Sequence, residues 1–161
     1  MNPLKKVKGF TLLELLIVIF IVGVLTAVIL VRGTAIGSQE VKYEAQRLKN
    51  LLIYAQQEAI LSTNVLQLST DNTSYQFLTY LPPASTQSSG KWAHDHKDRL
   101  LNYHPLPSKV KLVVSSGDVI FYPTGGTLPF QIDFYFKNKK MPYHIIGKGN
   151  GEIEVKNSHE A

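Results

Sequence analysis

From Phe10 to Val31 the chain reads FTLLELLIVIFIVGVLTAVILV, 22 residues whose one formal charge is Glu14. As an α-helix rising about 1.5 Å per residue it would be about 33 Å long, enough to cross a hydrocarbon core of about 30 Å. Burying it inside a water-soluble protein would take apolar partners on every side over about six turns. A chain of 161 residues has no surplus core of that size. The stretch therefore predicts a membrane-spanning helix and confines the rest of the fold to one modest domain.

Lys5, Lys6 and Lys8 precede the apolar run and Arg32 follows it. By the positive-inside rule the amino terminus is cytoplasmic and the carboxyl-terminal domain external. A secretory signal would place its small-residue cleavage site after a shorter apolar segment. Here the small residue, Gly9, comes first, so a cut after Gly9 would discard the basic leader and keep the anchor. Glu14 is then the informative residue, because an intramembrane carboxylate is costly unless paired and is functional by default. A cut between Gly9 and Phe10 would create an α-amine near the same depth, able to pair with Glu14 of a neighbouring subunit.

The overall balance of 17 Lys and Arg against 12 Asp and Glu gives a net charge of +5. Removing the three leader lysines leaves 14 basic and 12 acidic side chains, a net +2, which makes no general case for a nucleic-acid-binding face. With no cysteine, neither disulfides nor thiol chemistry is available.

Beyond Gly37, with Ser38 as a candidate cap, Val41, Ala45, Leu48, Leu52, Ala55 and Ala59 recur at alternating intervals of four and three. That spacing lines one face of an α-helix, with Lys42, Arg47, Lys49, Gln56 and Glu58 on the other side. The period then changes. Val65–Leu68 and Tyr75–Tyr80, separated by Asp71-Asn72, predict a β-hairpin. Further strands are predicted at Val110–Val114, Val119–Tyr122, Phe130–Phe136, Tyr143–Ile146 and Glu152–Val155, with the Lys137–Lys140 run as a separator. Residues 84–107 read as a polar, proline-bounded insertion. The pattern is α+β: a long amino-terminal helix, transmembrane and then amphipathic, laid across one antiparallel sheet of a head domain. The expected divisions are a leader at 1–9, the anchor at 10–31, a linker and helix continuation at 32–62, and a β-rich head at 63–161.

Lys8-Gly9-Phe10-Thr11-Leu12-Leu13-Glu14 resembles the processing site of type IV prepilins and type II secretion pseudopilins. The resemblance implies cleavage after Gly9 by a prepilin peptidase, N-methylation of Phe10, and assembly guided by Glu14. The family's usual proline near the outer end of the anchor is replaced by Val31-Arg32-Gly33, so any bend would fall at Gly33 or Gly37. The Arg47–Ile60 helix, Tyr75–Leu78, Trp92, Ile120–Gly125 and Pro129-Phe130 are similar, in order, to landmarks of the minor pseudopilin H family of type IV pilin-like proteins. That implies a non-enzymatic subunit near the tip of a periplasmic pseudopilus, anchored in the bacterial inner membrane. The implied partners are other major and minor pseudopilins, the outer-membrane secretion channel and secreted proteins. The alternative is a minor type IV pilin for pilus assembly or DNA uptake, with Lys137, Lys139, Lys140 and Lys148 as its DNA contacts.

Other clusters are weaker. His94, His96, Asp98 and distant His104 include metal-ligand types, but no spacing fixes a third ligand and no metal site or cofactor is assigned. Gly147-Lys148-Gly149-Asn150-Gly151 lacks the Lys-Ser/Thr ending of a phosphate loop and reads as a turn. No G-x-S-x-G or P-loop pattern points to an enzyme. Trp92 is expected to pin the insertion to the head.

Overall fold

The structure is a computed structural model; it describes residues 11–84, 89–94 and 98–158, without the side chains of residues 27–36. The chain divides into two units, Met1–Gly37 and Ser38–Ala161. Helix α1 is assigned as Leu12–Ser62, so Ser38 lies within it rather than at a cap. Residues 32–62, expected to begin with a linker, belong to the same helix through Ser62. Its first turn is capped by Thr11, whose Oγ1 accepts the Glu14 N–H at 3.3 Å. At the other end Thr63 takes a left-handed φ of 58°, and the Ser62 hydroxyl donates to the Glu58 carbonyl.

In the second unit Val41, Ala45, Leu48, Leu52, Ala55 and Ala59 are all fully buried. Alanines occupy half of these positions, and Leu48 and Leu52 supply the larger buried side chains of this face. The nine strands are β1 (Leu66–Thr70), β2 (Ser74–Leu81), β3 (Lys91–Ala93), β4 (His104–Pro105), β5 (Val110–Ser116), β6 (Ile120–Phe121), β7 (Phe130–Phe136), β8 (Lys139–Gly147) and β9 (Ile153–Asn157) among the described residues.

They form two antiparallel sheets rather than the one expected. The first runs β3-β2-β1-β6, with β4 also on β2; the second runs β5-β7-β8-β9. The separation follows from β6, which covers only Ile120–Phe121 before Pro123 and the Gly125 turn redirect the chain. With no long edge there, β7 pairs instead with β5, from Val110↔Phe136 to Ser116↔Gln131. The two sheets contribute to one apolar cluster with α1: Leu66, Leu68, Tyr75 and Phe77 from the first, and Leu112, Ile132, Phe134 and Ile145 from the second. Phe121 meets Phe130 edge-on across the join, their centroids 6.5 Å apart.

The insertion at 84–107 is more structured than its polarity suggested. It supplies β3, β4 and the 3-10 helix Arg99–Leu101, and Leu101 and Leu106 enter the core. The lysine run is likewise not all separator: Lys139 and Lys140 begin β8, and the turn consists of Lys137 and Asn138, both at positive φ.

Asp71 organises the β1–β2 turn. Its Oδ1 accepts the backbone N–H of Thr73 at 2.9 Å and of Ser74 at 2.6 Å, as well as the Thr73 hydroxyl at 3.0 Å. These donors, led by the Thr73 N–H, lower its pKa to about 2. A depressed folded-state pKa means a contribution fully present above the unfolded value near 3.8 and lost as pH falls through about 2. Asp71→Asn keeps an acceptor but cannot ionise. The difference in unfolding midpoint between wild type and this variant should therefore shrink as pH is lowered from about 5 to about 2; a constant difference would remove Asp71 from the acid sensitivity.

Candidate functional site

The amino-terminal segment is the first place to look for function. Gly9 and Phe10 lie outside the described residues. From Thr11 to Thr26 every side chain is exposed, including Leu12, Leu13, Leu15, Leu16 and Phe20. An apolar surface on all sides requires lipid or other apolar helices around it. Among the described residues no helix is long and apolar enough to cross a membrane. Leu12–Thr26 would span only about 22 Å, whereas the apolar sequence continues through Val31. Glu14 is exposed in the first turn of this helix, with its backbone N–H capped by Thr11.

The four lysines of the DNA alternative are not equivalent. Lys140 Nζ donates to Asp133 Oδ2 at 2.6 Å, and Lys148 Nζ donates to Glu152 at 2.9 Å and Glu154 at 3.2 Å. Lys137 lies 5.8 Å from the centroid of the Phe136 ring, and Lys139 is exposed at the start of β8. Two of the four cations are thus already matched by carboxylates. Gly147–Gly151 forms the β8–β9 turn, in which Gly151 N–H donates to the Lys148 carbonyl.

Two described members of the histidine cluster, Asp98 and His104, have partners within the protein. Asp98 caps the 3-10 helix by accepting the Leu100 N–H, and it accepts the Tyr54 hydroxyl from α1. His104 sits between Arg47 and the Leu100 carbonyl. His94 is exposed, and His96 lies outside the described residues. No group of three or more metal-ligating side chains occurs among the described residues. Trp92 meets Tyr80 edge-on across the β2–β3 pair and remains partly exposed.

Three polar side chains, two of them on the outer side of the helix by sequence pattern, have structural work. Gln56 Nε2 donates to Gly125 O at 2.7 Å and to Gly151 O at 3.1 Å, joining α1 to loops from both sheets. A Cβ on Gly151 would stand 2.4 Å from that nitrogen, and φ is +87°, so glycine is required there. Asp133 of β7 is buried; Lys140 and Gln131 both donate to it. Burial opposes its charge, yet hydrogen bonds from Lys140, Gln131 and Ser115 prevail and hold its pKa below the usual value. Arg47 pairs with buried Glu44 at 3.7 Å. No local sequence signal marks the contacts of Gln56 or the Lys140–Asp133 pair, since those partners come from another element or across a strand irregularity, whereas Arg47 and Glu44 are local neighbours three residues apart on α1.

A capped apolar helical segment and an α-helix packed within a two-sheet head are the parts of a pilin-like protein. Comparison with known proteins bears on both parts. Residues 4–30 match the prokaryotic N-terminal methylation motif, and residues 44–151 match the type II transport protein GspH model. The chain belongs to the GspH family. It is 32% identical over 106 residues to type II secretion system protein H of Pseudomonas aeruginosa, covering 65% of this chain and 56% of that protein. The corresponding Aeromonas hydrophila protein is 31% identical over 107 residues, covering 66% and 56%. The matched region thus spans little more than half the length of these curated relatives.

The minor pseudopilin EpsH from the type 2 secretion system of Vibrio cholerae has a similar fold. One structure gives a TM-score of 0.60 at 17% identity, over 76% of this chain and 99% of that one. A second gives 0.58 at 16%, over 74% and 95%.

Proposed function

We propose that this chain is a minor pseudopilin of a type II protein secretion system, a structural subunit near the pseudopilus tip that assists export of folded proteins. The observation that carries the reading is the occurrence, on one chain, of the methylation motif at 4–30 and the GspH domain at 44–151. In this reading residues 1–9 are a leader and residues 10–31 are the single-pass inner-membrane and assembly helix. The head, 63–161 completed by the preceding helix, is periplasmic. Its partners are a prepilin peptidase, other major and minor pseudopilins, and through the assembled pseudopilus the outer-membrane channel and secreted proteins. Pairing of Lys140 and Lys148 with carboxylates favours this over DNA capture, because a phosphate would have to compete with those acids.

Chemistry at the amino terminus is the direct test. Co-expression with the cognate prepilin peptidase should yield a membrane-isolated protein whose intact mass lacks Met1–Gly9 and carries one added methyl group on Phe10. Retention of Lys5, Lys6 and Lys8 in the presence of active peptidase would contradict the assignment.

A further inference from the structure

We propose that Arg47 and His104 form a proton-operated clip that ties the 98–106 segment to α1 and lets it go when His104 becomes an imidazolium. The link holds only with neutral imidazole. His104 Nε2 lies 2.8 Å from the Leu100 carbonyl, which can only accept, so this nitrogen bears the proton. His104 Nδ1 lies 3.3 Å from Arg47 Nη2, which can only donate, so Nδ1 must offer its lone pair. The two contacts together select the Nε2–H tautomer. A second proton would put an N–H on Nδ1, facing the guanidinium, and replace a hydrogen bond by cation–cation repulsion.

Arg47 has somewhere to go. Glu44, one helical turn earlier, is buried, and its Oε2 lies 3.7 Å from Arg47 Nη1 with no hydrogen-bond partner among the described residues. An orphaned buried carboxylate oxygen is costly, so a guanidinium released by His104 gains by closing onto it. Arg47 thus stands between two acceptors, one of which is removed by protonation.

Charged and titratable groups face the clip from three elements. On α1 the facing acid is Glu44, whose pKa burial raises against the lowering effect of Arg47, with Glu40 adding negative charge beside it. Arg47 opposes the imidazolium by direct contact. On β2, Tyr75 stacks on His104 with centroids 5.3 Å apart, and burial raises its pKa to about 12, so it stays neutral throughout. On the 98–106 segment, Asp98 is engaged by Tyr54 and the Leu100 N–H, while Arg99 adds positive charge. Glu44 is thus placed to receive Arg47. The rest of the tether includes the β4–β2 pairing, the Leu106 N–H to Thr73 O bond, the Tyr54–Asp98 contact and the burial of Leu101 and Leu106 in the core, so release of the clip loosens the segment rather than detaching it. The clip is independent of the secretion reading.

The test uses the full-length chain in detergent micelles. Nitrogen NMR of histidine-labelled protein should show His104 as the Nε2–H tautomer at pH 8. Hydrogen exchange, corrected for the intrinsic effect of pH, should rise about tenfold across 98–106 between pH 8 and pH 5, with β7 and β8 unchanged. His104→Gln, whose amide can accept from Arg47 and donate to Leu100 without titrating, should abolish that rise; Arg47→Met should give high exchange at both pH values. Equal protection of 98–106 at both pH values, an Nδ1–H tautomer, or a persistent rise in His104→Gln would each overturn the proposal. The tautomer measurement needs no variant and decides the matter even where a substitution prevents folding.

Discussion

Leu48→Asp is expected to destabilise the head by about 4 kcal/mol or more, enough to unfold most domains of this size. Leu48 is fully buried on the face of α1 that meets the strands, in a core cluster with Phe77, Leu112 and Phe134. A carboxylate there loses its water and gains no designed partner, so either it is protonated at a free-energy cost or the helix lifts away. Leu48→Ala should lose about 3 kcal/mol through the cavity alone, and Leu48→Met less than about 1.5 kcal/mol. Thermal unfolding of the full chain in micelles, followed by near-ultraviolet circular dichroism, should therefore rank the variants Met, Ala, Asp in order of increasing loss. An Asp variant as stable as wild type would place Leu48 outside the core.

Glu14→Ala should reduce incorporation into a pseudopilus by roughly tenfold or more while leaving the head folded, because an ion pair in an apolar environment is costly to break from one side. The substitution is well isolated. The cap on the first turn uses the Glu14 backbone N–H and the Thr11 hydroxyl, both of which survive it, so helix initiation is retained. What disappears is the carboxylate that would meet the new α-amine at Phe10 of a neighbour. Crosslinking to adjacent subunits, with membrane insertion and peptidase cleavage measured on the same samples, separates assembly from processing. Wild-type incorporation would show that the charge pair is unnecessary.

Legibility in the sequence followed the range of the interactions. The buried face of α1 from Val41 to Ala59 could be read because its period is a property of a single helix. The β1–β2 hairpin could be read because Asp71 makes its turn contacts within three residues. The insertion misled because Leu101 and Leu106 are isolated in polar sequence, and their burial depends on a place prepared by other elements. Two sheets replaced one because the brevity of β6 matters only once strand partners compete. Gln56 reaches carbonyls 69 and 95 residues away, and Lys140 meets Asp133 beside a register shift between β7 and β8; neither follows from local pattern. The amino-terminal motif was the most legible part, since basic residues, glycine, acid and apolar run are all local.

The most direct test of the secretion role is a deletion strain assayed in parallel for release of exoproteins and for uptake of DNA. The account predicts that exoproteins are retained in the periplasm, that transformation continues at the wild-type level, and that the intact gene restores release. Lost transformation with normal secretion, reproduced by charge reversal at Lys137, Lys139, Lys140 and Lys148, would contradict it and move the working surface to the β7–β8 and β8–β9 turns.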